Sequence, residues 1–314
     1  VNIDAETEIL WEQWLLPKKL KKYKINLLHM PGNRVCLLSR VKQITTTHDL
    51  MEWHSLNIFR YYKGRTLKEN FYFLRQKAYL WAVYRLGLVF SDHILTISNY
   101  SLRDITSTFP TLRGKISYVY HGIPEGFEPP ANPILKKGVL MLGGDSHQKN
   151  PENMLKAWAQ LPKELKKAHP LTILGFVGGE DYIISKTIRA LGIENDIVIK
   201  GWVTEDELIQ AMQTSKVFIF ASREEGFGFP LVQSMASGTP VVTSEADVLV
   251  EIGQDAVCSA KAEDFLALSS AVRNLLTDEQ LYNEKVQKGL TISFKFTWEH
   301  TAEHIASTYL TLLK

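Results

Sequence analysis

The sequence predicts an α/β fold built from two doubly wound domains, and three observations carry that reading. From Gly138 onward, short continuous apolar runs alternate with amphipathic stretches of roughly ten residues, the pattern of a parallel sheet covered by helices on both faces. The front half repeats the alternation less regularly, and residues 121–130 (HGIPEGFEPP), rich in Gly and Pro, break both periodicities where a linker would lie. A length of 314 residues with 45% hydrophobic content is enough for two cores rather than one.

In chain order, strands are expected at residues 26–29, 43–47, 93–97 and 116–119, with a long helix over about 66–86 between the second and third. In the second half GVLMLG, LTILGF, DIVIK, KVFIF and PVVT read as strands. Helical patterns start at Pro151, near Asp181, at Thr204 and at Pro230 to separate them. Trp298, Ala302, Ile305, Tyr309 and Leu312 follow helical spacing, so the chain closes with an amphipathic helix that needs a surface to cover. The expected organisation is an N-terminal domain over 1–126, a C-terminal domain over 127–292, and a closing helix over 293–314 that packs back on the first. Because the first residue is Val1 rather than Met, the N-terminal domain is expected to lack part of its start.

The net charge of +2 hides an asymmetry: residues 1–130 carry 18 Lys and Arg against 11 Asp and Glu, and the remainder carry 18 against 23. A basic front half suits nucleic acid, an anionic membrane or a phosphorylated substrate, and composition does not choose among them. The segment WEQWLLPKKLKKYK sets aromatic and aliphatic residues beside five lysines, and Lys68, Tyr72, Arg75 and Tyr79 recur at helical spacing. Such a surface fits an anionic membrane interface, the alternative being a solvated lysine-rich helix. Only Cys36 and Cys258 occur, outside any metal-ligand spacing, which points to a reducing, cytoplasmic setting. No apolar run approaches the roughly 20 residues of a membrane-spanning helix, so the protein is expected to be soluble or peripheral on the inner face of the cytoplasmic membrane.

The stretch that carries chemistry is residues 222–242, SREEGFGFPLVQSMASGTPVV, an apolar strand running through a Gly-rich turn into a helix with Pro230 near its start. Glycines let the backbone approach a ligand, and helix N-terminal N–H groups bind phosphate. An ordinary strand–turn–helix connection would look similar. Glu225 weighs against that reading, because a carboxylate there stands at the strand's carboxyl end, where open sheets bind ligands.

EGFGFP followed by MASGTPVV resembles the signature of the group 1, or family four, retaining glycosyltransferases. Further ordered matches extend from TTHDL through SDHILTISNYS, VYHGIPEGFEP, LMLGGDSHQKNPENMLKAW, IKGWVTEDELIQAM and LVEIGQDA to FTWEHTAEHIASTY. The resemblance implies the GT-B architecture, two facing Rossmann-like domains, and transfer of a hexosyl unit from a nucleotide sugar to a glycan acceptor. It also implies that Glu225 touches the hydroxyls of the transferred sugar and that His48 contacts the sugar near the reacting carbon. The diphosphate would rest on Lys149 and on the helix start at Gly228, Phe229 and Leu231. Two positions depart from the family pattern: the ribose-binding carboxylate is Gln233, and the phosphate-binding arginine is Gly144. Arg223 or His147 would have to substitute for that arginine. Val203 matches the position that meets the nucleobase, Glu251 one that reaches the nucleotide, and Ser98, His121, Gly122, Gly143, Gly144 and Arg223 match positions lining the cleft. Asp49 reads as a helix cap rather than a base.

The resemblance implies no metal and no other cofactor, a donor that is a UDP-sugar or GDP-mannose, and no nucleic-acid partner. With the basic–aromatic segments it implies an acceptor carried on a lipid diphosphate, as in bacterial surface-polysaccharide assembly. Two alternatives belong to other classes. A catalytically degenerate glycan- or nucleotide-binding relative is suggested by Gln233 and Gly144. A dinucleotide-dependent oxidoreductase would need a glycine fingerprint that GFVGGED does not provide.

Overall fold

In a computed structural model the described residues are 10–56, 75, 78, 81–132 and 134–314. The chain divides into two compact units, Val1–Tyr120 with Glu299–Lys314, and His121–Trp298. The first division falls at the start of the Gly/Pro-rich segment. Lys68, Tyr72 and Tyr79 lie outside the described residues, as does most of the long helix expected around them.

The first unit opens with a π-helical turn, Trp11–Leu15, that continues as α1 (Leu16–Lys22), with Pro17 in its first turn, where a missing N–H costs nothing. There follow β1 (Leu27–Met30), β2 (Lys42–Thr46), α2 (Met51–Leu56), the short α3 (Leu88–Phe90), β3 (His93–Thr96), α4 (Asn99–Thr108) and β4 (Ile116–Tyr118). Among the described residues, the four strands of this unit are parallel and pair in chain order, β1-β2-β3-β4. Val35, Leu50, Tyr84, Leu88, Ile94, Ile105, Phe109 and Leu112 fill a core beside the sheet. The C-terminal helix, Trp298–Leu313, is tied to this unit by hydrogen bonds from residues beyond Trp298. Tyr309 OH meets His29 Nδ1 at 2.5 Å, His304 Nε2 meets Ser117 Oγ at 3.2 Å, and Thr301 donates to the Tyr120 carbonyl at 2.7 Å.

The second unit runs β5 (Val139–Leu142), α5 (Pro151–Ala159), α6 (Lys163–Ala168), β6 (Leu171–Leu174), α7 (Ile183–Leu191), β7 (Ile197–Lys200), α8 (Glu205–Thr214), β8 (Val217–Phe220), α9 (Phe229–Ala236), β9 (Val241–Ser244), α10 (Asp247–Gly253), β10 (Cys258–Ala260), α11 (Phe265–Thr277) and α12 (Glu279–Ser293). Its six strands are all parallel, in the order β10-β9-β8-β5-β6-β7. β5, β8 and β9 are almost entirely buried, and this is why their sequences are continuous apolar runs. One face packs on α5, α7 and α11 around Trp158, Leu155, Met141 and Ile219, and the other is covered by α9 and α12. The sequence reading did not include β10; it is three residues long, and Ser259 at its centre is exposed, so no periodicity marks it.

The strand order fixes where a ligand can sit. From β5 the chain winds outward through β6 and β7, then returns to pair β8 on the other side of β5. The order reverses between β5 and β8, and ligands of open α/β sheets bind outside the carboxyl ends of the strands at that reversal.

Candidate functional site

The two loops at the reversal are laced together. After β5, the 143–150 loop donates from the Gln148 amide to the Glu224 carbonyl at 3.0 Å, and the Arg223 N–H returns a bond to the Gln148 carbonyl at 2.8 Å. Asn150, fully buried in the left-handed conformation at φ 57°, ends the loop as the N-cap position of α5. Its amide donates to the carbonyls of Ala221 at 2.9 Å and Ala262 at 2.7 Å. Buried carbonyls left by strand ends are costly unless paired, so this asparagine fixes the spacing of both loops. Its signal in the sequence is an Asn directly before the Pro that opens a helix.

This lacing carries Lys149 to Glu225, with Nζ 2.7 Å from Oε1. The Glu225 side chain is 10% exposed and the Lys149 side chain 39%. A carboxylate so far out of water needs a counter-charge, and Lys149 supplies it. Gly144 makes room for this pair: a Cβ there would fall 2.6 Å from Lys149 Cγ and 2.9 Å from its Cβ.

The signature turn follows. Gly228 has φ 93°, a conformation that side chains disfavour, and a Cβ on it would also stand 2.8 Å from Leu249 Cδ2. It precedes α9, whose first residues are Phe229 and Pro230. Pro230 has no N–H, and the Leu231 N–H donates to the Gly228 carbonyl at 2.9 Å while its side chain is fully buried. The side chain of Leu231 thus belongs to the core. Among the described residues no acceptor is recorded on the N–H groups of Gly228 and Phe229, which stand at the positive end of the helix dipole. The N-terminus of α7, by contrast, is already filled: Asp145 accepts from the N–H groups of Ile183 and Ile184 at 3.0 and 2.8 Å.

Gln233 lies one turn further along α9, partly buried, and its carbonyl accepts from Ser237 N at 3.0 Å and Oγ at 2.9 Å. Glu251 is on α10 with Oε2 out of reach of solvent. Val203 follows β7 and precedes Thr204, whose side chain caps α8 in a capping box with Glu207. β7 is two strands from β5.

The residues expected to line a cleft also make local contacts. Arg223 donates from Nε to Glu263 at 3.0 Å and from Nη1 to the His147 carbonyl at 2.5 Å, so it braces the loops. Gly122 is buried, and a Cβ on it would collide with the backbone of Thr297 and Trp298. Ser98 is fully buried as the N-cap of α4, its Oγ accepting from Ser101 N at 3.0 Å. Gly143, half-buried, bonds the Leu174 carbonyl at 2.7 Å and touches Phe176. His121 stacks on Phe229, centroids 5.2 Å apart and planes 16° from parallel, with Phe227 and Trp298 against it. That aromatic cluster, closed by Phe296 on Phe227, was not anticipated from sequence, because its members are far apart in the chain.

In the first unit, His48 follows β2. Its Nε2 lies 3.0 Å from the Pro31 carbonyl and so carries the proton, and its backbone N–H donates to Asn33 Oδ1 at 2.7 Å. Asp49 accepts from Met51 N at 2.9 Å and caps α2. Among the described residues no three His, Cys, Asp or Glu side chains converge as metal ligands would, and no helix is long and apolar enough to cross a membrane.

Comparison with known proteins places the chain in a family. The profile described as "Glycosyl transferases group 1" matches residues 127–291, and that described as "Glycosyltransferase Family 4" matches residues 4–126. O-antigen chain mannosyltransferase B of Escherichia coli is 26% identical over 307 residues, 92% of this chain and 75% of that protein. The serotype-specific mannosyltransferase WbdA of the same organism is 31% identical over 172 residues, 54% of this chain but only 21% of that protein. The structure of Anabaena HepE in complex with UDP-glucose superposes with a TM-score of 0.73 over 99% of this chain and 86% of that one, at 18% identity, which shows a shared fold. The resemblance read from the signature, and the α/β GT-B fold it implies, are thereby borne out.

Proposed function

This chain belongs to the group 1 glycosyl transferases, and on that premise we propose that it transfers a mannosyl or other hexosyl unit, with retention, from a nucleoside-diphosphate sugar to a glycan acceptor. The observation that carries the proposal is the convergence of Lys149, Glu225 and the start of α9 at the reversal between β5 and β8. The acceptor hydroxyl oxygen forms a bond to the anomeric carbon as the bond from that carbon to the diphosphate oxygen breaks, and the hydroxyl proton leaves with the departing phosphate or to solvent. Charge grows on that phosphate, and the Lys149 ammonium with the N–H groups of Gly228 and Phe229 is the set of donors suited to receive it. Glu225 accepts from sugar hydroxyls and Gln233 from ribose hydroxyls.

A mannosyl donor is favoured because the two relatives above are named mannosyltransferases, whereas the UDP-glucose complex of HepE keeps a UDP-hexose open. An acceptor on a lipid diphosphate is supported by the first segment. Trp14 and Tyr23 are about half exposed beside its lysines, with Lys18 Nζ 4.5 Å from the Trp14 ring centre, a surface that suits peripheral attachment to an anionic membrane. Purified protein incubated with GDP-mannose or UDP-hexoses and extracted lipid-linked glycans should release GDP or UDP with one donor and lengthen the glycan by one residue. Absence of release from every donor with acceptor present would overturn the reading.

A further inference from the structure

The contact between Lys149 and Glu225 joins two groups that the proposed reaction needs apart. Lys149 is the ammonium for the diphosphate, and Glu225 is the acceptor for the sugar hydroxyls, yet Lys149 Nζ and Glu225 Oε1 hold each other at 2.7 Å. We propose that this ion pair is a donor-sensing latch: Glu225 becomes available to the sugar only when a diphosphate has drawn Lys149 away. The proposal rests on the assignment of these loops as the donor site and adds an order and a coupling to it.

The physical case is a matter of which group can leave. Glu225 is 10% exposed, whereas Lys149 is 39% exposed on a flexible four-carbon stem, so the lysine is the mobile partner. A diphosphate carries more negative charge than one carboxylate and also meets the dipole of α9, so it competes well for the ammonium. Once the lysine turns, the carboxylate is left desolvated and without its counter-charge, and sugar hydroxyls are the donors that then satisfy it. A sugar alone finds Glu225 Oε1 held by Lys149. A nucleoside diphosphate alone takes the lysine but leaves Glu225 unpaired, at a cost. The intact donor avoids that cost and the product does not, so the latch favours binding of the one and release of the other. Gly144 belongs to the same device, since its missing side chain is the space the Lys149 stem crosses to reach Glu225.

The test is calorimetric titration of UDP and GDP, without sugar, into the wild type, E225Q, K149Q and the double variant. A lysine free for about a tenth to a third of the time predicts that E225Q tightens the nucleotide that the wild type binds by about three- to tenfold. K149Q should weaken it, and E225Q should add nothing in the K149Q background. Unchanged or weaker binding by E225Q, or a gain that persists without Lys149, overturns the latch while leaving the donor site standing. Failure of the wild type to bind either nucleotide at millimolar concentration removes the donor-site assignment and the latch together. If E225Q does not fold, Glu225→Leu makes the same comparison with an apolar side chain of similar size.

Discussion

The ammonium of Lys149 and the carboxylate of Glu225, 76 residues apart in the chain, meet at 2.7 Å where the strand order of the second sheet reverses. Because Glu225 is the more buried partner, removing the lysine should cost more stability than removing the acid. Lys149→Met is expected to destabilise the protein by about 1–2 kcal/mol, less than a fully buried pair because the lysine is more than a third exposed. Urea denaturation of Lys149→Met and of the double variant with Glu225→Gln checks this. The second change should recover most of the loss, and no recovery would mean that Glu225 does not depend on Lys149.

Glu225→Ala should lower turnover by about a hundredfold if its bond to the sugar strengthens in the transition state. The measurement is kcat with saturating donor and acceptor. Near-normal turnover would remove Glu225 from the site.

Gln233→Glu tests the departure from the family pattern on α9. A carboxylate bonds ribose hydroxyls more strongly than an amide does, by about 0.5–1.5 kcal/mol, so nucleotide binding should tighten by about two- to tenfold with turnover little changed. Weaker binding would indicate repulsion between the new charge and the diphosphate or Glu225. If titration shows no change in affinity and kinetics none in rate, Gln233 does not touch the nucleotide.

Gly228→Ala should be harmful twice over. The left-handed φ of 93° and the approach of Leu249 Cδ2 each oppose a methyl group, for a combined cost of about 2–3 kcal/mol. The turn that presents the α9 N–H groups must also shift, so the KM for donor should rise along with the loss of thermal stability. A variant that melts like the wild type and keeps its KM would show that the turn does not need glycine.

The C-terminal helix should loosen as pH falls. Burial lowers the pKa of His29, His93 and His304, with the charges of His304 and Lys115 adding to the effect at His93 and that of His300 at His304. Their folded-state pKa values lie below the ordinary 6.5, so the unfolded state takes up more protons at acid pH. Their contribution is present in full above about pH 6.5 and is lost as pH drops through the lowered values. Hydrogen exchange of residues 299–313 between pH 7.5 and 5 should show protection decreasing over that window. Protection independent of pH would mean that the His29–Tyr309 and Ser117–His304 contacts do not hold the helix.

How much of this was legible beforehand differs from residue to residue. The strands β5, β8 and β9 were visible because a strand buried on both faces must be apolar throughout, and α9 was visible because Gly228 and Pro230 mark a helix start chemically. The signature stretch likewise pointed to Glu225 before any fold was known, and the resemblance around it pointed to Lys149. Some positions expected in or beside the site also have local employment: Ser98 caps a helix, Leu231 fills the core and Arg223 braces a loop. A motif records which residue stands at a position but not which neighbour already holds its hydrogen bonds.

The sequence by itself determined the fold class, the family and the stretch proposed to carry the chemistry, because periodicity, turn chemistry and a contiguous signature are local properties of the chain. Only the tertiary structure decided that Lys149 and Glu225 share one ion pair, that Asn150 joins two loops and α5, that Asp145 fills the α7 terminus, and that His121 stacks on Phe229. Each of these contacts joins residues 38 or more positions apart. Their geometry is set by the order in which strands pair, and strand order follows from packing the whole sheet, which no short window of sequence contains.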